Sequence, residues 1–481
     1  MNFHKAILGG CFFILTLALG ALNAHAQDEP QEPTETKPKP AGTSFPTIDP
    51  GSAQEDSQNN TNGLQPDTTP LTGVQNATLG SPEVRHSYWV PGVQYAGTIQ
   101  SSGSGTSNSS SWAMTNYLIG NLSLLKAWSR SQLAVNYSGG GFFSTDSAQG
   151  NGAYQQLALA QTFQWNRWAM QILDQFSYLP QSGFGFGGGT NLGVPGAGGS
   201  IGPTIPGLGA GYVPNQSIYA GFGPQYSNAT ALQVTYATSP RGSITASGSY
   251  GILNYVDPGN IDNNTTTGTV GYNYTLSKAN SIGAFYRFSS YHFTGEPQAF
   301  GDNSFNIAFS RKLTGRMALQ AYGGPDIITF RVPVGGQSSR IGGNLGVSFS
   351  YGLVNGGLTA GYLHGLGGGS GVLAGSTVDQ VTIGANRRLS RVWSGQLNFG
   401  YAHNTAVVSS TAAAIPSYNS WFFGGGVSRP LGRNTTLAIA YNANISGSSQ
   451  PGCTGGSCNP TQTSNYVTIN LQWHARPFVL P

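Results

Sequence analysis

The chain has 481 residues, of which 8% are charged and 71 are glycine, with a formal net charge of +4. Charge this sparse, against about 25% in soluble domains, excludes both an ordinary charged enzyme surface and a disordered polyelectrolyte. A slightly negative mean hydropathy excludes a helical membrane protein, and four Met with few Glu or Lys argue against long helices. What remains is an all-β chain.

Residues 1–26 read as a secretory signal: Lys5, an apolar run from Cys11 to Leu19, then Ala24-His25-Ala26 before Gln27. Leu8-Gly9-Gly10-Cys11 resembles a lipobox, but its cysteine precedes the apolar run instead of following it. That run is also shorter than the ~20 residues of a spanning helix. Residues 27–85 follow as a Pro-rich acidic segment, with eight acidic residues and two lysines in its first 54 positions. Such a composition buries no core, so a disordered periplasmic tail is expected there, ahead of a β-domain over 86–481. Beyond residue 80 eighteen Lys or Arg stand against nine Asp or Glu, and thirteen of the eighteen lie in or beside short turns. They form no patch, so no nucleic-acid partner is expected; basic turns suit lipid headgroups.

From residue 93 the chain repeats one unit: a strand of about ten residues, a tight basic turn, a second strand and a longer Gly-rich loop. Val467, Ile469, Leu471 and Trp473 alternate with Thr468, Asn470 and Gln472; Val270, Tyr272 and Tyr274 alternate with Gly271, Asn273 and Thr275. Period two places the apolar set on one face and the polar set on the other. Short turns fall near 126–130, 166–167, 239–241, 277–280, 312–316, 352–356, 388–391 and 430–433. Sixteen strands flank them. A first strand near Val93–Gln100 and a last near Tyr466–His474 make about eighteen, or sixteen if the weakest pair merges. Trp165, Trp168, Tyr178, Tyr236, Tyr250, Tyr274, Trp393 and Trp473 sit at strand ends, where interfacial girdles belong. The polar face makes no core, so the apolar face must meet lipid, and lipid requires closure. The predicted fold is a transmembrane antiparallel up-and-down β-barrel.

This run of hairpins over 93–474, ending at Trp473, resembles the bacterial outer-membrane β-barrels, specifically their large porin-like class, with no subfamily indicated. Members of that class usually end on an aromatic residue; here His474 to Pro481 follow the last strand, with Phe478 near the end. The resemblance implies a bacterial outer-membrane location, with the short turns and the N-terminal tail in the periplasm. It further implies outer-membrane lipid and the barrel assembly machinery as partners, a homo-oligomer as one arrangement, and no cofactor. The expected function is passive diffusion of small, mostly uncharged solutes, saccharides among them. The alternatives are a closed structural or surface-display barrel, or a barrel for exopolysaccharide export.

Inward parity falls on Gln94, Gln100, Gln156, Gln164, Gln171, Gln320, Gln396, Asn398, Asn442 and Gln472, with Arg287 as the clear inward charge. Of these, Gln171, Arg287, Gln320, Gln396, Asn398 and Asn442 are the expected pore lining, in a lumen without opposed charge clusters. The longest loop, Gln181 to about Ser217, holds no Asp, Glu, Lys or Arg, and its Phe184, Phe186, Leu192 and Tyr212 suit a neutral constriction. Asp326, Arg331 and Arg340 read as an external rim cluster, and a loop salt bridge explains them without function. Asp174 and Asp379 fall on the lipid parity, and a bulge before each would turn them inward. Cys453 and Cys458 read as a small loop disulfide, because a metal site would need ligands beyond the nearest histidine, His474.

No enzyme is expected. Gly198-Gly199-Ser200-Ile201-Gly202 has the spacing of a nucleophile elbow without its strand-turn-helix setting, and Gly183, Gly185 and Gly188 match a phosphate loop without the following helix. His364 on the lipid face reads as a girdle residue, with no acid and serine beside it in the sequence.

Overall fold

Alternation of outward apolar and inward small or polar residues, repeated over the whole domain, builds one closed sheet. The computed structural model describes residues 87–104, 111–145, 151–179, 185–186, 218–219, 224–256, 260–294, 297–334, 336–368, 373–407, 417–449 and 462–480. Its strands are β1 (Ser87–Ser104), β2 (Ser111–Ala127), β3 (Ser131–Ser144), β4 (Gly152–Trp165), β5 (Trp168–Leu179), β6 (Gly185–Phe186) and β7 (Ile218–Tyr219). They continue with β8 (Gln225–Ala237), β9 (Gly242–Tyr255), β10 (Asn263–Thr275), β11 (Asn280–Phe293), β12 (Ala299–Thr314), β13 (Met317–Val334) and β14 (Gln337–Leu353). The last are β15 (Gly356–Gly367), β16 (Ser376–Arg388), β17 (Ser394–Ala406), β18 (Ser417–Pro430), β19 (Thr435–Ser449), β20 (Gln462–His474) and β21 (Phe478–Leu480).

β1 to β5 and β8 to β20 each pair antiparallel with the next, and β1 pairs with β20, so the sheet closes as an eighteen-strand barrel. The eight short turns all lie at one end, and they share it with both ends of the described chain, since Ser87 pairs with Leu480. The strands run longer than the repeat predicts. β1 covers 18 residues, not the eight expected, because its pairing with β2 continues from Tyr88 to Ser102. β13 and β14 run on to Val334 and from Gln337, and a tip with Gly336 at φ 80° joins them at the end opposite the short turns. Only glycine takes that backbone conformation without strain.

Side-chain direction follows the alternation. On β20, Val467 and Ile469 are 41% and 53% exposed on the outer surface, whereas Tyr466 and Thr468 between them are 4% and 1% exposed. Trp165, Trp168, Tyr274 and Trp473 stand exposed on the outer surface near the short-turn end. A water-soluble sandwich would bury this set; a membrane barrel places it at the lipid interface.

The residues after Trp473 are part of the wall. β21 continues the edge of β20 along β1, with Trp89 opposite Phe478, and the two rings stack at 4.8 Å. The segments assigned to the signal and the tail, and Cys453 with Cys458, lie outside the described residues.

Candidate functional site

A barrel of eighteen strands encloses a space wide enough for an aqueous channel unless something fills it. The register directs Gln171, Arg287, Gln320, Asn398 and Asn442 inward, each sharing its face with a buried neighbour two positions away or directly across the ladder, and Gln396 shares the parity of Asn398. Gln320 and Asn442 are fully buried. Neither amide atom of Gln320, Asn344, Asn442 or Asn444 finds a partner among the described residues.

The lumen is not free of opposed charge, contrary to the sequence expectation. Arg287 on β11 donates from Nη2 to Asp302 Oδ2 on β12 at 3.2 Å, with side-chain exposures of 13% and 0%. Asp326 on β13 joins them. Ser304 faces Arg287 across one ladder and Asp326 across the next, so the three charges surround one buried serine. Asp326 is therefore not part of a rim cluster. Its even-numbered parity on β13 points it into the lumen, where it is 2% exposed, while Arg331 lies on the opposite, outward parity. Arg340 is exposed near the β13–β14 tip. The three residues therefore make no common group.

The inner wall is not uniformly polar. Tyr291, Phe293, Phe300, Ile328, Phe330 and Val407 form a buried apolar cluster toward the long-loop end, with Leu366 and Ala374 packed on it. Tyr291 donates from its hydroxyl to Leu366 O at 3.3 Å, and Asn263 Nδ2 donates to Gly368 O at 3.1 Å. The described ends of the connection from β15 to β16, Gly368 and Ala374, thus lie against the β10–β12 wall above the charged cluster. A second inward arc, Tyr117, Ile119, Phe142 and Tyr154, lines β2 to β4.

Of the expected constriction residues, Phe184, Leu192 and Tyr212 lie outside the described residues, and so do the Gly198–Gly202 motif and Gly183 and Gly188. Phe186 is described through its backbone. Gly185–Phe186 pairs with Ile218–Tyr219, and this short hairpin approaches β17, β18 and β19. Its chain leaves the wall at β5 and returns at β8. β9 to β16 stand between that point and β17 on one side, with β20 and β1 to β4 on the other. The base of the long loop has therefore crossed to the far wall. There Ala402, Phe422, Ala440 and Tyr466 face inward and are buried.

No bulge turns Asp174 or Asp379 inward: the ladders on both sides of each run in unbroken register. Both carboxylates stay on the outer face and are satisfied there by neighbours. Asp174 accepts from Thr230 Oγ1 at 2.5 Å and from Asn228 Nδ2 at 3.4 Å. Asp379 accepts from Tyr362 Oη and from His364 Nδ1, each at 2.8 Å. His364 thus has an acid partner, 15 residues away in sequence and directly opposite on the neighbouring strand. Beside it, His403 on β17 contacts Asn419 through Nδ1 at 2.6 Å and Thr405 through Nε2 at 3.0 Å. Sequence reasoning did not find this group. Its trace was there in His403-x-Thr405, two polar residues on the parity of Phe399 and Tyr401.

The architecture is a closed, eighteen-strand antiparallel β-barrel with an apolar outer surface. No protein-family model matches the sequence, and no curated protein is similar to it. Among solved structures, Pseudomonas aeruginosa OpdQ is 9% identical with a TM-score of 0.41, covering 81% of this chain and 99% of that one. Pseudomonas aeruginosa OccK2 (OpdF) in complex with glucuronate is 11% identical with a TM-score of 0.42, covering 82% and 98%. The outer membrane protein opdK of the same organism is 10% identical with a TM-score of 0.40, covering 80% and 99%.

Proposed function

We propose that this barrel is a passive outer-membrane channel for small polar, mostly uncharged solutes, saccharides among them, with its short turns in the periplasm. The observation that carries this reading is the hairpin of β6 and β7 against β17–β19. It fits a channel narrowed by its long loop rather than a shell with external loops only. Two further features support it. The inward amides of Gln320, Asn344, Asn442 and Asn444 are shielded and without a partner among the described residues, which gives the interior a polar but uncharged character, since buried polar groups require partners. The charges of the β11–β13 wall include one ion pair, which leaves a local excess of a single carboxylate, Asp326.

Leu366, Gly368 and Ala374, set against the β10–β12 wall, favour a second reading, a closed structural or display barrel. Planar-bilayer conductance separates the two. The mature protein is expected to give steady openings that grow when residues 187–217 are removed, and maltooligosaccharides are expected to block the current. Silence from both forms would refute the channel.

A further inference from the structure

We propose that Thr405, His403 and Asn419 form a nucleophilic triad on the outer face of the barrel that hydrolyses carboxylic esters of the surrounding lipid. This reading is independent of the channel. His403 and Thr405 lie two positions apart on β17, hence on one face, and the β17–β18 register sets His403 directly opposite Asn419. Ala402 and Asn404, on the other parity, are fully buried toward the lumen, so the triad faces outward.

The hydrogen bonds fix the protons. Asn419 Oδ1 only accepts, so His403 Nδ1, 2.6 Å away, carries a hydrogen. The neutral ring then has its lone pair on Nε2, and Thr405 Oγ1 at 3.0 Å must donate to it. Tyr401 Oη donates to the same Asn419 oxygen at 3.1 Å and holds the amide in place. Nucleophile, base and orienting group are thus all present, the pattern by which such sites are recognised on unrelated folds. The neighbouring His364–Asp379 pair provides a base and an orienting acid, but no hydroxyl contacts its ring among the described contacts.

Location selects the substrate. The triad lies near the long-loop end of β17 and β18, directly above Tyr401 and Trp421, whose rings stand 4.4 Å apart on the outer surface. Aromatic residues of that kind mark the headgroup level. Lipid ester carbonyls belong to the same interfacial layer, and a lipid reaches this face by lateral diffusion. In the reaction, Thr405 Oγ1 bonds to the ester carbonyl carbon as its proton passes to His403 Nε2. The lipid alcohol leaves with that proton, giving an acyl-threonine. Water then attacks the acyl carbon, His403 takes its proton and returns it to Thr405 Oγ1, and the fatty acid is released.

The test uses the full-length protein in two sets of vesicles, one of phosphatidylethanolamine and phosphatidylglycerol, the other containing purified lipopolysaccharide. Fatty acid release is followed by mass spectrometry, and a fluorophosphonate probe is mapped to its residue by peptide sequencing. Release from either set, with the probe on Thr405, is expected, and the set that responds identifies the lipid. Thr405→Val and His403→Ala should lower release by on the order of a hundredfold or more, while Thr405→Ser retains it. Variant rates count only for protein that keeps the heat-modifiable mobility of a folded barrel. No release and no labelling by the native chain would overturn the proposal, as would undiminished release by folded Thr405→Val.

Discussion

Removing the guanidinium of Arg287 is expected to cost more stability than any other single change in the lumen. Arg287 Nη2 and Asp302 Oδ2 are 3.2 Å apart, and the aspartate side chain is wholly shielded. At that separation the Coulomb attraction is about 5 kcal/mol for an effective dielectric of about 20. Arg287→Met leaves Asp302 and Asp326 buried together without a counter-charge, and losing one partner of a buried pair typically costs about 3–5 kcal/mol. Arg287→Met/Asp302→Asn removes one of the two stranded carboxylates and should regain about 2 kcal/mol, a coupling read from a double-mutant cycle. Urea titration in lipid vesicles, followed by tryptophan fluorescence, measures all four corners of the cycle. An Arg287→Met barrel within about 0.5 kcal/mol of the native one, or strictly additive effects, would refute this reasoning and mean that the pair is fully hydrated.

Two further outcomes are expected in the same assay. A Cβ on Gly140 would lie 1.9 Å from Leu118 O and 2.8 Å from Ile119 Cα, both backbone atoms of the adjoining strand, whereas one on Gly268 meets nothing within 4 Å. Gly140→Ala should therefore cost about 1–3 kcal/mol and Gly268→Ala stay within about 0.5 kcal/mol; equal effects would contradict the close strand approach at Gly140. Asp174→Leu should stabilise the barrel by about 1 kcal/mol, because an outward carboxylate is costly against lipid. A loss of stability there would mean that protein, not lipid, covers this face.

How much of this was legible in the sequence depends on the range of the interaction. Alternation is local, so β20 could be read from Val467, Ile469, Leu471 and Trp473 alone, and the inward setting of Gln320 and Asn442 followed from parity. Asp302 also lies on the inward parity, between Phe300 and Ser304, yet its meeting with Arg287 depends on a register set by the connection between β11 and β12. Asp326 misleads for a different reason. In the sequence it groups with Arg331 and Arg340 at the external rim, whereas β13 runs on as one 18-residue strand that carries it on the inward parity. The outward polar groups were hidden by the expectation that a carboxylate avoids lipid. At Asp379 two neighbouring donors, Tyr362 and His364, satisfy it in place, so the backbone need not bulge.

The seam of the barrel governs when it can be completed. β1 is bordered by β2 on one side and by β20 and β21 on the other, so Gly92 waits for His474 and Trp89 for Phe478. Nearly the whole polypeptide must be delivered before that edge is covered, and pairings of such sequence separation form slowly. Until then the first strand exposes an unpaired backbone capable of joining another chain. A chain truncated anywhere before β20 would keep two open edges, however well its remaining hairpins formed.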